Sequence, residues 1–188
     1  VWFGMVVIAS VLHPAASQNP VETSLPESFD SAIPLYTSSL GTFTRPISSR
    51  NTTAQKFFNQ GFQLMYAFTK EHAARSFREA WKRDPDCAIC YWGEAWAWGS
   101  YLNGPMRPFE APHAYTAIQE ALARIDRASD REQAYINAMA VRYVEDFDQE
   151  TRREQDTAYA EAMRGARFFI GFTEIKMIAH LDLTITRD

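Results

Sequence analysis

The spacing of small and large side chains in the first helical stretch constrains the fold more than any other feature of the sequence. Gly61 and Ala73 are small at places where two helices can approach closely, while Phe57 and Phe77 can fill the space beside them. Pro85 cannot continue a helix, so it ends the second one. This stretch therefore predicts two helices packed together as a hairpin.

The same spacing is that of the tetratricopeptide repeat (TPR), a helix pair of about 34 residues with large and small residues at fixed places. When the unit is numbered from Ala54, only Gln60 departs from the pattern, because Leu is usual at its place. The matching residues are Phe57, Gly61, Leu64, Ala73, Phe77, Ala80 and Pro85.

Two further units follow the first. One starts at Ala88 and is interrupted by the proline-rich loop "LNGPMRPFEAP", and a fainter one opens with a helix cap at Ser129 or Asp130. The repeat places of the second unit hold Tyr91, Ala95, Trp98, Ala114, Ile118 and Ala121. We predict an all-α fold, an α-solenoid of about three TPR-like antiparallel helix pairs over residues 51–166.

An extended leader is predicted ahead of the repeats, at residues 18–50, because Pro, Ser and Thr recur there and no helical period appears. It is either loose or laid against the domain by side chains such as Leu35, Tyr36, Leu40 and Phe43. Helical character begins at residue 51, where Thr52 and Gln55 have the spacing of a capping box.

Residues 1–17 are predicted to be a secretory signal peptide, because an apolar run ends in small residues and a cut between Ser17 and Gln18 fits. The absence of an initiator Met and of a basic region is consistent with a signal truncated at its start. A buried first helix is the alternative interpretation. The apolar run is too short to span a bilayer, so we expect an exported, periplasmic or extracellular protein without a membrane span in its mature form.

Several segments resemble exported bacterial tetratricopeptide-repeat proteins: "LGTFTRPIS", "AQKFFNQGFQLMYAF", "SFREAWKRDPDCAICYWGEAWAWG", "YLNGPM" and "SDREQAYINAMAVRY". The resemblance covers residues 40–166 and implies a right-handed helical array with a binding or assembly role and no established chemistry. The family often has histidines at two places that Phe43 and Lys70 occupy here, and His72 lies one position away from the second.

Cys87 and Cys90 are the only pair with reactive side chains at motif spacing, and three interpretations stay open. They form a local disulfide or pack as thiols, act as a redox pair, or contribute to a metal or haem site. No α/β pattern surrounds them, as a thioredoxin-like motif would require. Tyr91 stands where covalent haem attachment needs His, and a zinc site needs two more ligands.

Aromatic side chains recur at the places where the first helix of each repeat faces the concave side of the array. They predict a groove for a protein or peptide partner, lined by Phe58, Phe62, Met65, Tyr66, Trp92 and Trp96. In the alternative interpretation, the leader or the C-terminal segment fills this groove in cis.

Charge and motif content exclude several other classes of function. A net charge of -4 and a pI near 5.6 argue against binding to nucleic acid. No phosphate-binding loop, HExxH motif or nucleophile elbow is present, so we expect no catalysis, no cofactor and no metal site apart from the alternative at the two cysteines.

Residues 167–188 no longer resemble the family. Three interpretations are open: a helix, a strand-like tail, or the end of a truncated or frame-shifted gene. The stretch "FFIGF" is a candidate interface for self-association.

Overall fold

The computed structural model of the chain describes residues 23–101 and 104–170, with side chains as far as Ala166. Within these ranges the fold is all-helical and contains no strand. The α-helices are α1 (Thr52–Tyr66), α2 (Lys70–Arg83), α3 (Ala88–Trp98), α4 (Ala111–Leu122), α5 (Asp130–Ala140) and α6 (Arg152–Ile170). Short 3₁₀ turns lie at Glu27–Asp30, Pro108–Glu110 and Ile125–Arg127.

Helices that follow one another along the chain pack against one another, from α1 on α2 through to α5 on α6. In addition, α1 contacts α3 and α3 contacts α5. These contacts bring α1, α3 and α5 side by side, which matters for the site because their aromatic residues meet there.

The ends of the helices follow from local chemistry. Asn51 caps α1, its Oδ1 accepting hydrogen bonds from the amides of Thr53 and Ala54 at 2.9 and 3.1 Å. The predicted capping box of Thr52 and Gln55 is therefore wrong, since the Gln55 side chain bonds instead to the leader. The cap predicted at Ser129 is confirmed by a capping box with Glu132.

Phe77 of α2 lies at the centre of the first three helices. Its ring packs between Gly61 of α1 and Gly93 of α3, and a Cβ built on these glycines would lie 2.9 and 2.4 Å from it. The predicted close approach at Gly61 is thus confirmed, and Gly93 supplies a second one. As predicted, α2 ends at Arg83, two residues before Pro85.

The leader lies against the helices over its described part, residues 23–50, with Phe29 and Ile33 buried in the core. The signal-peptide interpretation of residues 1–17 lies outside the described residues, as does the segment after Ile170. Helix α6 runs past Ala166, where we placed the end of the repeat domain. Among the described helices, none combines the length and apolarity needed to cross a membrane.

Candidate functional site

Aromatic rings of α1, α3 and α5 form one contiguous group, which we call the aromatic cluster. Its members are Phe58, Phe62 and Tyr66 of α1, Trp92 and Trp96 of α3, and Tyr135 of α5. Phe62 lies 5.2 Å from Trp96 between ring centroids, and Trp92 lies 5.6 Å from both Trp96 and Tyr135. The structure thus brings together five of the six side chains predicted to line a groove and adds Tyr135. Met65, the sixth, is buried in the surrounding core.

The aromatic cluster is covered rather than open. Trp92 and Trp96 are each 1% exposed, Phe58 and Phe62 are buried as well, and only Tyr66 is half-buried. The leader is one of the elements that cover them, as in the alternative interpretation in which the leader fills the groove in cis. Replacing both tryptophans would therefore disrupt the core, and it cannot serve as a clean test of partner binding.

Amide side chains of α1 hold the leader by its backbone. Gln60 accepts from the amide of Tyr36 at 2.7 Å and donates to the carbonyl of Pro34 at 3.0 Å. Gln55 donates to the carbonyl of Arg45 at 2.8 Å and accepts from the amide of Ile47 at 3.0 Å. All four bonds are made to backbone amides and carbonyls of the leader. They can therefore hold an extended segment whatever its side chains are.

Two further amide side chains complete this row on α1. Asn59 accepts from the amide of Arg45 at 3.0 Å, and Gln63 donates to the carbonyl of Phe43 at 2.5 Å. We call Gln55, Asn59, Gln60 and Gln63 the amide row. Gln55, Asn59 and Gln63 follow one another at intervals of four residues, which places them along one side of the helix, where a strand-like segment can lie parallel to the axis, and Gln60 lies next to Asn59 on the adjoining face.

Arg45 is the leader residue that enters the aromatic cluster. Its guanidinium carbon lies 4.7 Å from the ring centroid of Tyr135 and 5.5 Å from that of Phe62, and the residue is only 8% exposed. Phe43, two residues earlier, stacks on Phe62 with 5.3 Å between the ring centroids. The indole N–H of Trp92 and the hydroxyl of Tyr135 have no hydrogen-bond partner in the described part of the chain.

The earlier part of the leader is fixed by other contacts. Phe29 stacks on Trp98 at 5.2 Å, and the hydroxyl of Tyr36 lies 3.2 Å from Nδ1 of His72. Between Tyr36 and Phe43 the chain arches away from α1 and leaves a cleft of about 490 Å³. Ser39 in this arch has a φ of 75°, in the left-handed region.

Cys87 and Cys90 form a disulfide at the start of α3. Of the interpretations left open by the sequence, the local disulfide is the one present here. Both residues are buried, and because their sulfurs are bonded to each other, neither is a thiolate that could attack or ligate.

A cleft of about 530 Å³ adjoins Cys87 and is also lined by Arg50, Arg127 and Glu132. Within the described residues, no group of three or more His, Cys, Asp or Glu side chains is placed to hold a metal ion.

A third cleft, of about 340 Å³, lies between α2, α3 and α4. At its floor the buried carboxylate of Glu94 accepts hydrogen bonds from Arg78 at 2.9 Å and from the Trp81 indole at 2.5 Å. His113 stacks on Trp98 at 5.0 Å, and burial, with a smaller effect of the Arg78 guanidinium, lowers the pKa of this imidazole. Burial also raises the pKa of Tyr91.

Lys70 forms an ion pair and a ring contact at the start of α2. Its ammonium pairs with the buried carboxylate of Glu110 at 3.2 Å and lies 5.0 Å from the ring centroid of Tyr101. Burial lowers the pKa of Lys70, while the attraction of Glu110 opposes that effect. The pair joins the start of α2 to the start of α4.

Comparisons of the chain with models of protein families, with curated proteins and with solved structures give no match in any of the three. The site must therefore be interpreted from its own geometry.

Sequence reasoning missed most of the residues that hold the leader. Arg45, Tyr135 and the amide row carry no motif, and charged or amide side chains ordinarily belong to solvated surfaces. Gln60 was the one signal available, since it is polar at a place where the repeat pattern has Leu. The structure explains this departure, because Gln60 is buried and bonds to two backbone groups of the leader.

Proposed function

We propose that this protein is an exported, TPR-like helical scaffold that binds an extended segment of a protein partner along α1. The scaffold would be an α-solenoid of about three antiparallel helix pairs, periplasmic or extracellular, with no catalytic role of its own. The order of helix contacts supports the solenoid, since α1, α3 and α5 contact one another in turn as the first helices of successive repeats do.

One observation carries the proposed function: the amide row of α1 satisfies the backbone of an extended segment that also inserts a side chain into the aromatic cluster. Main-chain hydrogen bonds combined with pockets for alternate side chains are the usual means by which proteins bind extended peptides. Here the leader occupies the face in cis. It therefore acts as a competitor that a partner segment must displace.

Cis occupancy sets the affinity that a partner needs. A short tether gives the attached segment an effective concentration on the order of millimolar, so a free peptide binds weakly until the cis contacts are loosened. A variant in which one contact of the leader is weakened should therefore bind a free peptide measurably, whereas the unaltered chain should bind it too weakly to detect.

The test uses a fluorescent peptide with the sequence of residues 33–49 and the full chain carrying Phe43→Ala. Phe43 is 44% exposed, so its removal should loosen the leader without opening the core. We expect fluorescence anisotropy to show saturable binding. The matched control adds Gln55→Ala and Asn59→Ala to the same chain, and this variant should lose the peptide because the amide row is interrupted. A folded Phe43→Ala chain that binds no peptide would contradict the proposed function.

A redox or metal-binding role for Cys87 and Cys90 is the second candidate. The observation in its favour is that the disulfide lies at the first turn of α3, where the amides at the start of the helix stabilise a thiolate. Its test is the rate at which dithiothreitol reduces the bond in the folded chain, because a redox-active pair is reduced rapidly without unfolding.

A further inference from the structure

Alternate residues of the leader face α1 between Phe43 and Ile47. The backbone groups bonded to Gln55, Asn59 and Gln63 of the amide row belong to Phe43, Arg45 and Ile47, which are the odd-numbered positions of this stretch. Thr44 and Pro46, between them, are exposed, whereas Arg45 is buried, Ile47 is half-buried and Phe43, although 44% exposed, stacks on Phe62. This is the two-residue period of an extended strand, so three side chains of a bound segment meet the scaffold and the two between them do not.

The central one of these three side chains meets a site suited to a guanidinium. Arg45 lies over the faces of Phe62 and Tyr135, and ring faces carry negative charge density that attracts a cation. Its planar group can also stack on rings, which an ammonium cannot do. A carboxylate in the same place would meet the negative faces of both rings and be repelled.

The flanking side chains are apolar. Phe43 lies nearly flat on Phe62, at 5.3 Å between centroids and 21° between planes. Ile47 is half-buried and packs against the core. The site therefore favours an aromatic residue two positions before the arginine and an aliphatic residue two positions after it.

We propose that the partner presents an extended segment of the pattern aromatic–x–Arg–x–aliphatic, which Phe43–Ile47 of the leader imitates in cis. This inference rests on the proposed function and names the chemistry that its binding face selects. The two x positions are free because they point to solvent, and the backbone contacts of the amide row require only that the segment be extended.

The occupant in trans is a segment of another protein rather than the leader of a second copy. Only four residues, 48–51, separate Ile47 from α1, and they are fixed in place. Ser48 donates to Glu132 of α5 through both its amide and its hydroxyl, and the Ser49 hydroxyl donates to Asp84. Exchange of leaders between copies would have to break all of these contacts, whereas displacement of residues 43–47 alone need not.

The experiment measures binding of a fluorescent peptide of residues 41–49, GTFTRPISS, to the full chain by anisotropy. Three chains are compared: the unaltered one, Arg45→Ala, and Thr44→Ala as the matched control at an exposed neighbour. We expect Arg45→Ala to bind the peptide roughly tenfold more tightly than the other two, since loss of a desolvated cation–π contact weakens the competing leader by that order. If Arg45→Ala fails to fold, Phe43→Ala takes its place.

Variant peptides then test the pattern on the Arg45→Ala chain. Replacing the peptide arginine by Ala should weaken binding about tenfold and replacing it by Lys several-fold, while Ala in place of the threonine that precedes it should change binding less than about twofold. Peptides that bind equally well with and without arginine would overturn this inference and leave the proposed function standing. If no peptide binds a folded variant, both fail. Light scattering tests the other occupant, the leader of a second copy. If the unaltered chain is a dimer that the peptide dissociates, the leader of a second copy occupies this face, and the assignment to a partner protein is overturned.

Discussion

The ring of Phe77 occupies the space beside Gly93 so closely that a Cβ at that glycine would lie 2.4 Å from the nearest ring carbon. Gly61 meets the same ring from α1. Phe77 is therefore a wedge that three helices share, and the small residues around it set how near those helices can come.

Gly93→Ala should destabilise the fold. The added methyl group overlaps the buried Phe77 ring, which is enclosed by Gly61 on α1 and cannot move away freely, so we expect a loss of about 1–3 kcal/mol in the free energy of unfolding. Urea denaturation followed by circular dichroism measures the change.

Gly165→Ala is the matched control, because that glycine is also helical, is exposed and has nothing within 4 Å of the built Cβ. It should leave stability unchanged or raise it by up to about 1 kcal/mol. A Gly93→Ala chain as stable as the control would show that the helices are not limited by this contact.

Gln60→Leu should release the leader near Tyr36 while restoring the residue that the repeat pattern favours. The amide of Tyr36 loses its acceptor and the carbonyl of Pro34 its donor, so hydrogen exchange at the Tyr36 amide should speed up roughly tenfold, as expected for the loss of about one or two net hydrogen bonds. Exchange resolved by residue measures it. Asn59→Leu gives the converse control, in which the Arg45 amide should respond and the Tyr36 amide should not. Unchanged exchange at Tyr36 in Gln60→Leu would mean that the leader is held by other contacts.

Reduction of the Cys87–Cys90 bond should cost about 2 kcal/mol of stability, the loop-entropy value for so short a closed loop. The chain with Cys87→Ser and Cys90→Ser should lose a similar amount and then show no response to reductant, which urea denaturation with and without dithiothreitol can test.

The rate of that reduction separates a structural disulfide from a redox-active one. Cys90 is 0% exposed, and Cys87 is 5% exposed beside the cleft that it lines, so an attacking thiolate has little access to either sulfur in the folded chain. We expect dithiothreitol to reduce the bond slowly in native buffer and much faster in urea. Rapid reduction of the folded chain would instead support the redox alternative.

Acid should destabilise the protein through His113. Burial lowers the pKa of this imidazole in the folded chain below its ordinary value of 6.5, so between these two pKa values the unfolded chain binds more protons than the folded one. The contribution of His113 to the free energy of unfolding is therefore at its maximum above about pH 6.5. It decreases as the pH falls from 6.5 toward the pKa of His113 in the folded chain.

The measurement for His113 is the free energy of unfolding from pH 5 to pH 7.5 in the unaltered chain and in His113→Gln. The variant should show a shallower decline toward low pH. Equal slopes for the two chains would contradict the assignment, and a nuclear magnetic resonance titration of the His113 ring protons would report the pKa directly.

The all-helical fold was largely predictable because its determinants are local. The spacing of Gly61, Ala73, Phe77 and Pro85 encodes helix faces and a helix end within one short stretch, and periodicity reports such features directly. The cap at Ser129 was predictable for the same reason, since a capping box is a contact between residues three apart.

What the sequence by itself determined is that α1 and α3 carry aromatic residues on faces that must be buried or bound. It could not determine what covers them, because periodicity identifies an apolar face and not its neighbour. Only the tertiary structure placed Arg45 between Phe62 and Tyr135, residues that lie far from it along the chain. It also turned Gln55 from a helix cap into a contact for the leader, because the choice among hydrogen-bond partners depends on which backbone groups the fold brings within reach.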